Sequence, residues 1–450
     1  MQAFVKFATV GCLFVSLSFL AGAQTNSLVW DKADDRVKAD IHGEALVPLL
    51  KSIASQAGWR VYLEPGATRT VSTKFKNLPS GEALKMLLGD LNFALVPKAH
   101  AAPELYVFRT AMKNATHLVG SPKEAKHVAN ELLVKVKPGT DIDALAKMLG
   151  AKVIGRMDKY GAYLLQFDDS DSTDDALSKL QMDSDVQAVD YNYFFDPPPN
   201  AQSIGSAPMG QLSLQLNPPP SSGKTIVGLI DTDVQSLGSQ LDQFILKQIS
   251  VADGTPSDSS INHGTAMAYT ILQAAASSTQ SSSTSFQIQP VNVYGSGETT
   301  TSWNVALGVQ AAVNAGATVL NMSLGSTGDS TVLDSVLATA ASDGIISFAA
   351  TGNTPIYSPY YPAADPGVIP VTATSQPGQL ASYANVWADS SMIALPGTGI
   401  VYYNGVPWVI QGTSTSTAEA TGVYTGNLVK GGSSAQILGA MGKRFVVPGF

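Results

Sequence analysis

Apolar and polar positions between residues 35 and 110 follow two different periods. Apolar residues recur three and four positions apart at 45–54 and 80–91, which predicts two helices with one buried face each. Shorter apolar runs around them predict strands, at residues 37–41, 59–63, 71–75, 93–96 and 105–108. The order β-α-β-β-α-β-β predicts a small α+β domain, with limits at residues 24–115.

A second alternation covers residues 128–197. It predicts four strands and two helices, the strands at 131–136, around Val153, at 160–167 and at 186–195, and the helices at 140–149 and 172–180. Thr140 with Asp143, and Ser172 with Asp175, have the spacing of helix-capping pairs. The order β-α-β-β-α-β predicts a ferredoxin-like sandwich.

From Thr225 onward, almost continuous apolar runs alternate with amphipathic stretches. The runs predict buried parallel strands, at residues 225–230, 286–294, 318–322, 345–350 and 368–374. The stretches between and after them predict helices, at residues 263–276, 302–314, 330–342 and 414–428. The fold class is therefore α/β, a doubly wound parallel sheet over residues 224–450 with its active groups where strands end.

Residues 198–223 form a proline-rich linker in this interpretation. Proline triplets at 197–199 and 218–220 are stiff, extended and unable to enter the middle of a sheet. The residues between the triplets are small and polar around a few apolar side chains, as in accessible segments that proteases cut. We expect self-cleavage between Asn200 and Gly223.

The composition excludes some classes of protein. Charged residues make up 14% of the chain, against roughly 25% in an ordinary soluble domain. With 44% hydrophobic residues, the chain can bury large cores and is not a disordered, solvated polymer. The net charge of −8 and the lack of a long basic block exclude the electrostatic footprint of a nucleic-acid-binding protein.

The first residues have the pattern of an export signal. Lys6 precedes an apolar stretch over residues 7–20, and a small-residue triplet then ends at Ala23, where we expect cleavage. The stretch of 14 residues is shorter than the ~20 that span a bilayer, so no membrane span is expected in the mature chain. Cys12 is the only cysteine, so the mature protein would lack disulfides. We expect a secreted or periplasmic protein.

Four polar residues are candidates for chemistry. His263 is the only histidine after Thr225 and stands at a predicted helix start, while Asp231 ends the first predicted strand, where a carboxylate can hold an imidazole. Asn353 ends another strand, where its amide can donate to an oxyanion. Ser414 opens the last predicted helix, a position where serine is most often only a cap.

The chain order Asp, His, Ser is that of subtilisin, and the neighbouring residues strengthen the likeness. The segments VGLIDT at 227–232, HGTAMA at 263–268 and GTS at 412–414 resemble the aspartate, histidine and serine motifs of subtilisin-like serine proteases. LNMSLG at 320–325 and YPA at 361–363 resemble two further segments of that family.

This resemblance implies a serine endopeptidase that cleaves polypeptides through an acyl-enzyme. It implies Ser414 as nucleophile, His263 as general base, Asp231 as its partner and Asn353 as oxyanion donor. Residues of two segments would bind the substrate, namely Ser323, Leu324, Gly325, Ala350, Thr351 and Gly352. Their small size predicts that a medium or large apolar side chain fits before the cut bond. No cofactor is expected, and the candidate calcium ligands are too scattered to assign, namely Asp242, Asp253 and Asp258.

Two resemblances concern the smaller domains. NELLVKVKPGT at 130–140, with the closing strand at 189–193, resembles the propeptide of thermitase-type and fervidolysin-type subtilases, which implies that the protease has its own propeptide as a partner. FKNLPSGEALKMLLGDLNFAL at 75–95 resembles the short N-terminal domain of secretins and TonB-dependent receptors. That likeness implies a contact with an envelope secretion complex.

Departures from the subtilase pattern keep an alternative open. Asp233 and Ala418 replace the glycine and the proline usual at these positions, and only 36 residues follow Ser414. A catalytically weak or inactive scaffold that acts as an envelope binding protein would show such changes. A lipase or esterase is less favoured, because the serine lacks the G-x-S-x-G elbow of those enzymes.

Overall fold

The computed structural model describes residues 26–98, 101–119, 125–196, 199, 201–204, 225–238, 240–254, 260–279, 286–376, 379–387, 390–441 and 444–446. The predicted leader with its cleavage site and Cys12 lies outside the described residues, as do Asp258 and most of the predicted linker. In the described part of the chain, no helix is long and apolar enough to cross a membrane.

The N-terminal unit contains two small sheets and two helices. Its elements are β1 (Ser27–Asp31), β2 (Arg36–Ala45), α1 (Leu46–Ala57), β3 (Arg60–Leu63), β4 (Thr70–Leu78), α2 (Ser80–Leu88), β5 (Asn92–Val96), β6 (Glu104–Phe108) and β7 (His117–Val119). One sheet has the order β1-β2-β4 and the other β5-β6-β3-β7. The buried leucines of α1 stand on one helical face, and Gly58, at φ 72°, ends that helix in the left-handed conformation.

The second unit contains β8 (His127–Val136), α3 (Ile142–Leu149), β9 (Lys152–Met157), β10 (Ala162–Gln166), α4 (Ser170–Leu180) and β11 (Val186–Phe195). Its antiparallel sheet has the order β11-β8-β10-β9, in the predicted β-α-β-β-α-β sequence. The helix caps differ from the prediction, because Asp141 and Asp169 stand at the N-caps in place of Thr140 and Ser172. Aspartate, which accepts backbone N–H bonds well, competes successfully for these positions.

The third unit holds the large sheet. Its elements are β12 (Gln202–Ser203), β13 (Thr225–Asp231), β14 (Ile249–Ser250), α5 (His263–Thr279), β15 (Phe286–Asn292), β16 (Thr300–Thr301), α6 (Ser302–Asn314), β17 (Val319–Met322), α7 (Thr331–Ser342), β18 (Ile346–Ala350), β19 (Val368–Gln376), β20 (Gln379–Leu380), β21 (Ser391–Pro396), β22 (Thr398–Tyr403), β23 (Val406–Gln411), α8 (Thr413–Val429), α9 (Ser434–Ala440) and β24 (Arg444–Val446).

The large sheet has the order β14-β15-β13-β17-β18-β19-β21-β24, and its neighbours are parallel from β14 to β21. The predicted doubly wound parallel sheet is confirmed. Helices α5 and α8 lie against each other and are buried along most of their length. A Cβ on Gly422 of α8 would collide with the backbone carbonyl of Ile271 in α5, so this close helix contact needs a glycine.

Both smaller units pack on the large one. Strand β11 of the second unit pairs antiparallel with β16 of the third unit. Apolar residues of the second unit's sheet also belong to the core that contains Trp303 of α6. In the N-terminal unit, β7 forms a bridge between Leu118 and Ile356, and the core of this unit includes Tyr357. Both smaller units are therefore in direct contact with the third unit.

Candidate active site

Asp231 and His263 form a buried pair at the carboxyl end of the sheet. Asp231 is the last residue of β13 and His263 the first of α5, and Nδ1 of the imidazole lies 2.8 Å from Oδ1 of the carboxylate. Their side chains are 2% and 6% exposed. Because a carboxylate only accepts hydrogen bonds, Nδ1 of the imidazole is the donor in this pair. In the described structure, buried Nε2 has no hydrogen-bond partner.

The chain around this pair is fitted closely. The backbone N–H of Gly264 donates to Oγ1 of Thr232 over 2.8 Å, and a Cβ on Gly264 would collide with the carbonyl of Thr232. Asp233, the second carboxylate nearby, accepts from the side-chain amides of Gln248 and Asn262. The substitution of aspartate for glycine at position 233 is therefore accommodated by two amide donors.

Ser414 stands in the first turn of α8, at the positive end of the helix dipole, and is 3% exposed. Its Oγ donates to the carbonyl of Ser323 over 3.0 Å, and Oγ of Ser323 donates back to the carbonyl of Ser414 over 3.0 Å. The serine hydroxyl is thus not bonded to His263, although both residues line one small cavity together with Pro199 and Ala201. Ser414 and His263 therefore lie close together, as predicted, but the predicted hydrogen bond between them is not formed.

A buried polar network fixes the strand that faces Ser414. Nδ2 of Asn321 donates to Oγ of Ser323 over 3.0 Å, and Oγ1 of Thr421 donates to Oδ1 of Asn321 over 2.9 Å. These hydrogen bonds connect the end of β17 to helix α8, the helix that carries Ser414. Such fully bonded buried groups rigidify a site.

Asn353 lies at the rim of the cleft with its amide oxygen engaged. Oδ1 accepts from the backbone N–H of Thr413 over 2.8 Å and from Oγ1 of Thr413 over 3.1 Å. The amide NH₂ lies against Gly412, because a Cβ there would be 3.0 Å from Nδ2. Gly412 has φ 149°, and its missing side chain leaves room for this donor beside Ser414.

A cavity of about 390 Å³ continues from Ser414 along the end of β17. Of the six predicted substrate-binding residues, five line it, namely Ser323, Leu324, Gly325, Ala350 and Gly352. Thr351 differs from the expectation, because it is fully buried and its carbonyl accepts from Nδ2 of Asn385. Strand alternation explains the difference, since neighbours on either side of Thr351 face the cleft.

Tyr360 also lines this cavity and was not predicted from the sequence. Its ring lies against Gly325 and Gly352, at each of which an added Cβ would press on ring atoms. Its hydroxyl donates to the carbonyl of Gly325 over 2.9 Å and to Oδ2 of Asp196 over 3.1 Å. Tyr360 therefore occupies the space between the two glycines and forms part of the cavity wall. The expected fit of a medium or large apolar side chain stays a prediction.

Described residues at the end of the second unit and just after it line the cleft. The backbone N–H of Asp196 donates to the carbonyl of Gly325 over 3.2 Å. Pro199 lines both the long cavity and the small cavity of His263 and Ser414, and Ala201 lines the small one. Beyond them, β12 pairs antiparallel with β23. Described residues on both sides of position 200 thus flank the serine.

Two family models match parts of the chain. The model of the subtilase family matches residues 222–428. The model of the fervidolysin N-terminal prodomain matches residues 113–192. The first match lies within the third unit, and the second spans β7 and most of the second unit.

Subtilisin Savinase from Lederbergia lenta is 30% identical over 200 residues, which cover 44% of this chain and 73% of that protein. A thermostable alkaline protease from Halalkalibacterium halodurans is 37% identical over 122 residues, 27% of this chain and 34% of that protein. Across four curated relatives, this one included, the chain spans only 17% to 63% of their length.

The crystal structure of fervidolysin from Fervidobacterium pennivorans, described as a keratinolytic enzyme related to subtilisin, shares the fold. It superposes with a TM-score of 0.50 at 19% identity and covers 69% of this chain and 56% of that one. The chain belongs to the subtilase family. The predicted subtilisin-like domain and fervidolysin-type propeptide are confirmed, whereas the secretin-like character of residues 24–115 stays a prediction.

Proposed function

We propose that this protein is a serine endopeptidase that hydrolyses polypeptides and is made as a self-processing precursor. The observation that carries the proposal is the buried Asp231–His263 pair beside Ser414, in a cleft that Pro199 and Ala201 of the same chain line. Family membership supports the same reaction class.

In the proposed reaction, Oγ of Ser414 attacks the peptide carbonyl and Nε2 of His263 takes its proton. The same nitrogen then protonates the leaving amine, while Asp231 holds the ring and stabilises its charged form. The N–H of Ser414 and the amide of Asn353 donate to the oxyanion, and loss of one such donor costs ~3 kcal/mol of transition-state stabilisation. A water molecule then attacks the acyl-enzyme in the same way, with His263 again taking and returning the proton, and the acyl group is released.

The hydroxyl of Ser414 must turn before it can react. It now donates to the carbonyl of Ser323, a group that a substrate N–H would use when an extended peptide adds to this strand. We infer that substrate binding displaces the hydroxyl toward the unpartnered Nε2 of His263. The resting serine is thus held by the same acceptor that recognises substrate.

Hydrolysis of an unfolded protein such as reduced casein tests the activity. We expect Ser414→Ala to lower kcat by about a million-fold, the loss typical of a removed nucleophile. Ser416→Ala is the matched control, because this serine lies on the same helix and its hydroxyl bonds to the carbonyls of Leu395 and Pro396 away from the cleft. Equal hydrolysis by Ser414→Ala and the parent would contradict the proposal and favour the binding scaffold.

We further propose that self-cleavage occurs at the Asn200–Ala201 bond. Pro199 and Ala201 flank the serine and histidine, and Pro199 lacks the N–H with which an acyl residue would pair to Ser323. The processed chain should therefore begin at Ala201, as mass spectrometry of the purified protein would show. Ala201→Pro should block the cut, whereas Ile204→Ala, at an exposed residue, should leave it unchanged. A first residue beyond position 204 would contradict this assignment.

We propose export by the leader, with cleavage after Ala23, and a contact of the N-terminal unit with an envelope secretion complex. The charge-then-apolar leader pattern and the secretin-like sequence support these points. Mass spectrometry of the Ser414→Ala precursor from the periplasm or medium should show Gln24 as its first residue. Retention of Met1 in that fraction would contradict export by cleavage.

A further inference from the structure

Asn353 lies in an exposed part of the segment 351–358, which follows β18. The side chains of Asn353 and Thr354 are exposed, whereas both ends of the segment are buried. Connecting segments on a protein surface are more mobile than the strands that they join. An oxyanion donor nevertheless has to stay within about 2.7–3.1 Å of one position, so this segment needs support from its neighbours.

One support comes from the third unit itself. The backbone N–H of the buried Asn385 donates to the carbonyl of Gly352 over 3.0 Å. Its side-chain Nδ2 donates to the carbonyl of Thr351 over 3.0 Å and to that of Ser358 over 2.9 Å. Asn385 therefore binds both ends of the segment that carries Asn353.

The other support comes from strand β7 of the N-terminal unit. The backbone N–H of Leu118 donates to the carbonyl of Pro355 over 2.8 Å, and the N–H of Tyr357 donates to the carbonyl of Leu118 over 3.2 Å. Both backbone groups of Leu118 are thus bonded to the segment, while His117 and Val119 pair with β3 on the other side of β7. The segment of Asn353 is joined to the N-terminal unit like an added strand.

His117 connects the same unit to Asn385. Its Nε2 donates to the carbonyl of Ala384, the residue before Asn385, over 2.6 Å, and its Nδ1 lies 3.0 Å from Oγ1 of Thr116. The ring is fully buried and stands edge-on to the ring of Tyr357, with the centroids 6.3 Å apart. A buried ring bonded at both nitrogens has one defined orientation, so it fixes the position of Ala384.

We propose that His117 and Leu118 are positioning residues that hold Asn353 in place for the oxyanion, so that the N-terminal unit supports catalysis. This role rests on the proposed serine endopeptidase activity. Loss of one oxyanion donor lowers kcat by about 10²–10³-fold, and a displacement of about 1 Å can cost a similar factor. The first reaction affected is self-cleavage, which takes place while the N-terminal unit still belongs to the same chain.

The first-order rate of self-cleavage of the full-length chain tests the proposal. His117→Leu keeps most of the volume of the ring and removes its donor, so it should slow self-cleavage by about tenfold or more. His117→Gln should restore the rate to within about threefold of the parent, because the glutamine amide can donate to Ala384. Leu87→Ala is the matched control and should leave the rate unchanged, because this buried leucine lies in α2, which packs against β2 and β4 of the same unit.

A double-mutant cycle separates positioning of Asn353 from a general loss of stability. Asn353→Ala alone should slow self-cleavage by about 10²–10³-fold. In that background His117→Leu should cause no further loss, because the side chain through which it acts is absent. A further tenfold loss in the double variant would overturn the proposal, and so would a parental rate in His117→Leu.

Amide hydrogen exchange in the Ser414→Ala chain gives a readout that needs no proteolysis. His117→Leu should speed exchange by about tenfold or more at the N–H groups of Tyr357 and Thr413, which donate to Leu118 and Asn353. Leu87→Ala should not change exchange at these two groups. Unchanged exchange in His117→Leu would overturn the proposal.

The two readouts keep the two proposals apart. A parent that does not cleave itself would contradict the proposed proteolysis, and the exchange result would then decide the positioning role alone. If His117→Leu does not fold, Thr116→Val replaces it, because Thr116 is partly exposed and contacts only the nitrogen of the ring that faces away from Ala384. Thr116→Val should slow self-cleavage and speed exchange by about threefold, and parental values for both would overturn the proposal.

Discussion

Single side chains in the cleft show where sequence patterns are informative. Asp231 and His263 stand where a strand ends and a helix begins, so their meeting could be predicted from the order of elements. The direction of the Ser414 hydroxyl could not, because its acceptor is a carbonyl 91 residues away in the chain. Side-chain rotamers depend on such contacts and leave no local sequence signal.

Tyr360 was missed for a related reason. The residue precedes the YPA segment, and nothing in its neighbours along the chain indicates that Gly325 and Gly352 face its ring. Burial and the nearby Asp196 raise its pKa well above the ordinary tyrosine value, so the hydroxyl stays neutral. Two small residues that face each other across a predicted cleft are the only available hint that a third side chain fills the space.

Replacing Tyr360 should change the substrate preference. Tyr360→Gly removes the ring between the two glycines, so kcat/KM for peptides with Phe or Leu before the cut bond should rise by about 10-fold or more relative to Ala. Rates on a series of chromogenic peptides would measure the change. Tyr360→Phe keeps the ring and should show no such gain; an equal gain in both variants would contradict the proposed role of the ring.

At the scale of elements, the helix pair α5 and α8 positions His263 and Ser414 relative to each other. From the sequence, the small residues after Ser414 predict a helix surface that allows close packing. The structure confirms this at Gly422, which lies against the carbonyl of Ile271. Which helix fills that surface could not be predicted, because α5 is apolar around most of its circumference and shows no single buried face.

Gly422→Ala should destabilise the fold by about 1–3 kcal/mol, because the added methyl group collides with the carbonyl of Ile271. Urea unfolding of the Ser414→Ala chain, which avoids self-cleavage, would measure this free energy. Gly439→Ala in α9 is the control, since a Cβ there meets no atom within 4 Å and alanine favours a helix. Equal stability of both variants and the parent would rule out the close contact.

At the scale of the whole molecule, the order of the three units could be predicted from their periodicities, but their packing could not. The N-terminal unit attaches through β7. This strand has only three residues and is too short to be recognised from a sequence pattern. His117 of this strand is fully buried, and its Nε2–H donates to the carbonyl of Ala384 over 2.6 Å while Nδ1 accepts from Thr116. This neutral imidazole joins the two units.

Stability should fall in mild acid because of His117. Burial lowers the pKa of His117 to about 4 in the folded chain, against an ordinary 6.5. Below pH 6.5 the unfolded chain therefore binds a proton that the folded chain does not, and up to about 3 kcal/mol of stability is lost as the pH falls to 4. The free energy of unfolding from pH 7 to 4 would show it.

His117→Gln should flatten this pH dependence, because glutamine can donate to Ala384 without titrating. An unchanged slope in His117→Gln would show that other groups cause the acid sensitivity.

Labelling with a fluorophosphonate probe tests the catalytic account most directly, because only an activated serine reacts. After incubation for self-processing, peptide mapping should find the label on Ser414 in the parent and in Ser416→Ala, and find none in Ser414→Ala or His263→Ala. A folded parent without label, or equal labelling of His263→Ala, would contradict activation of this serine by the buried imidazole.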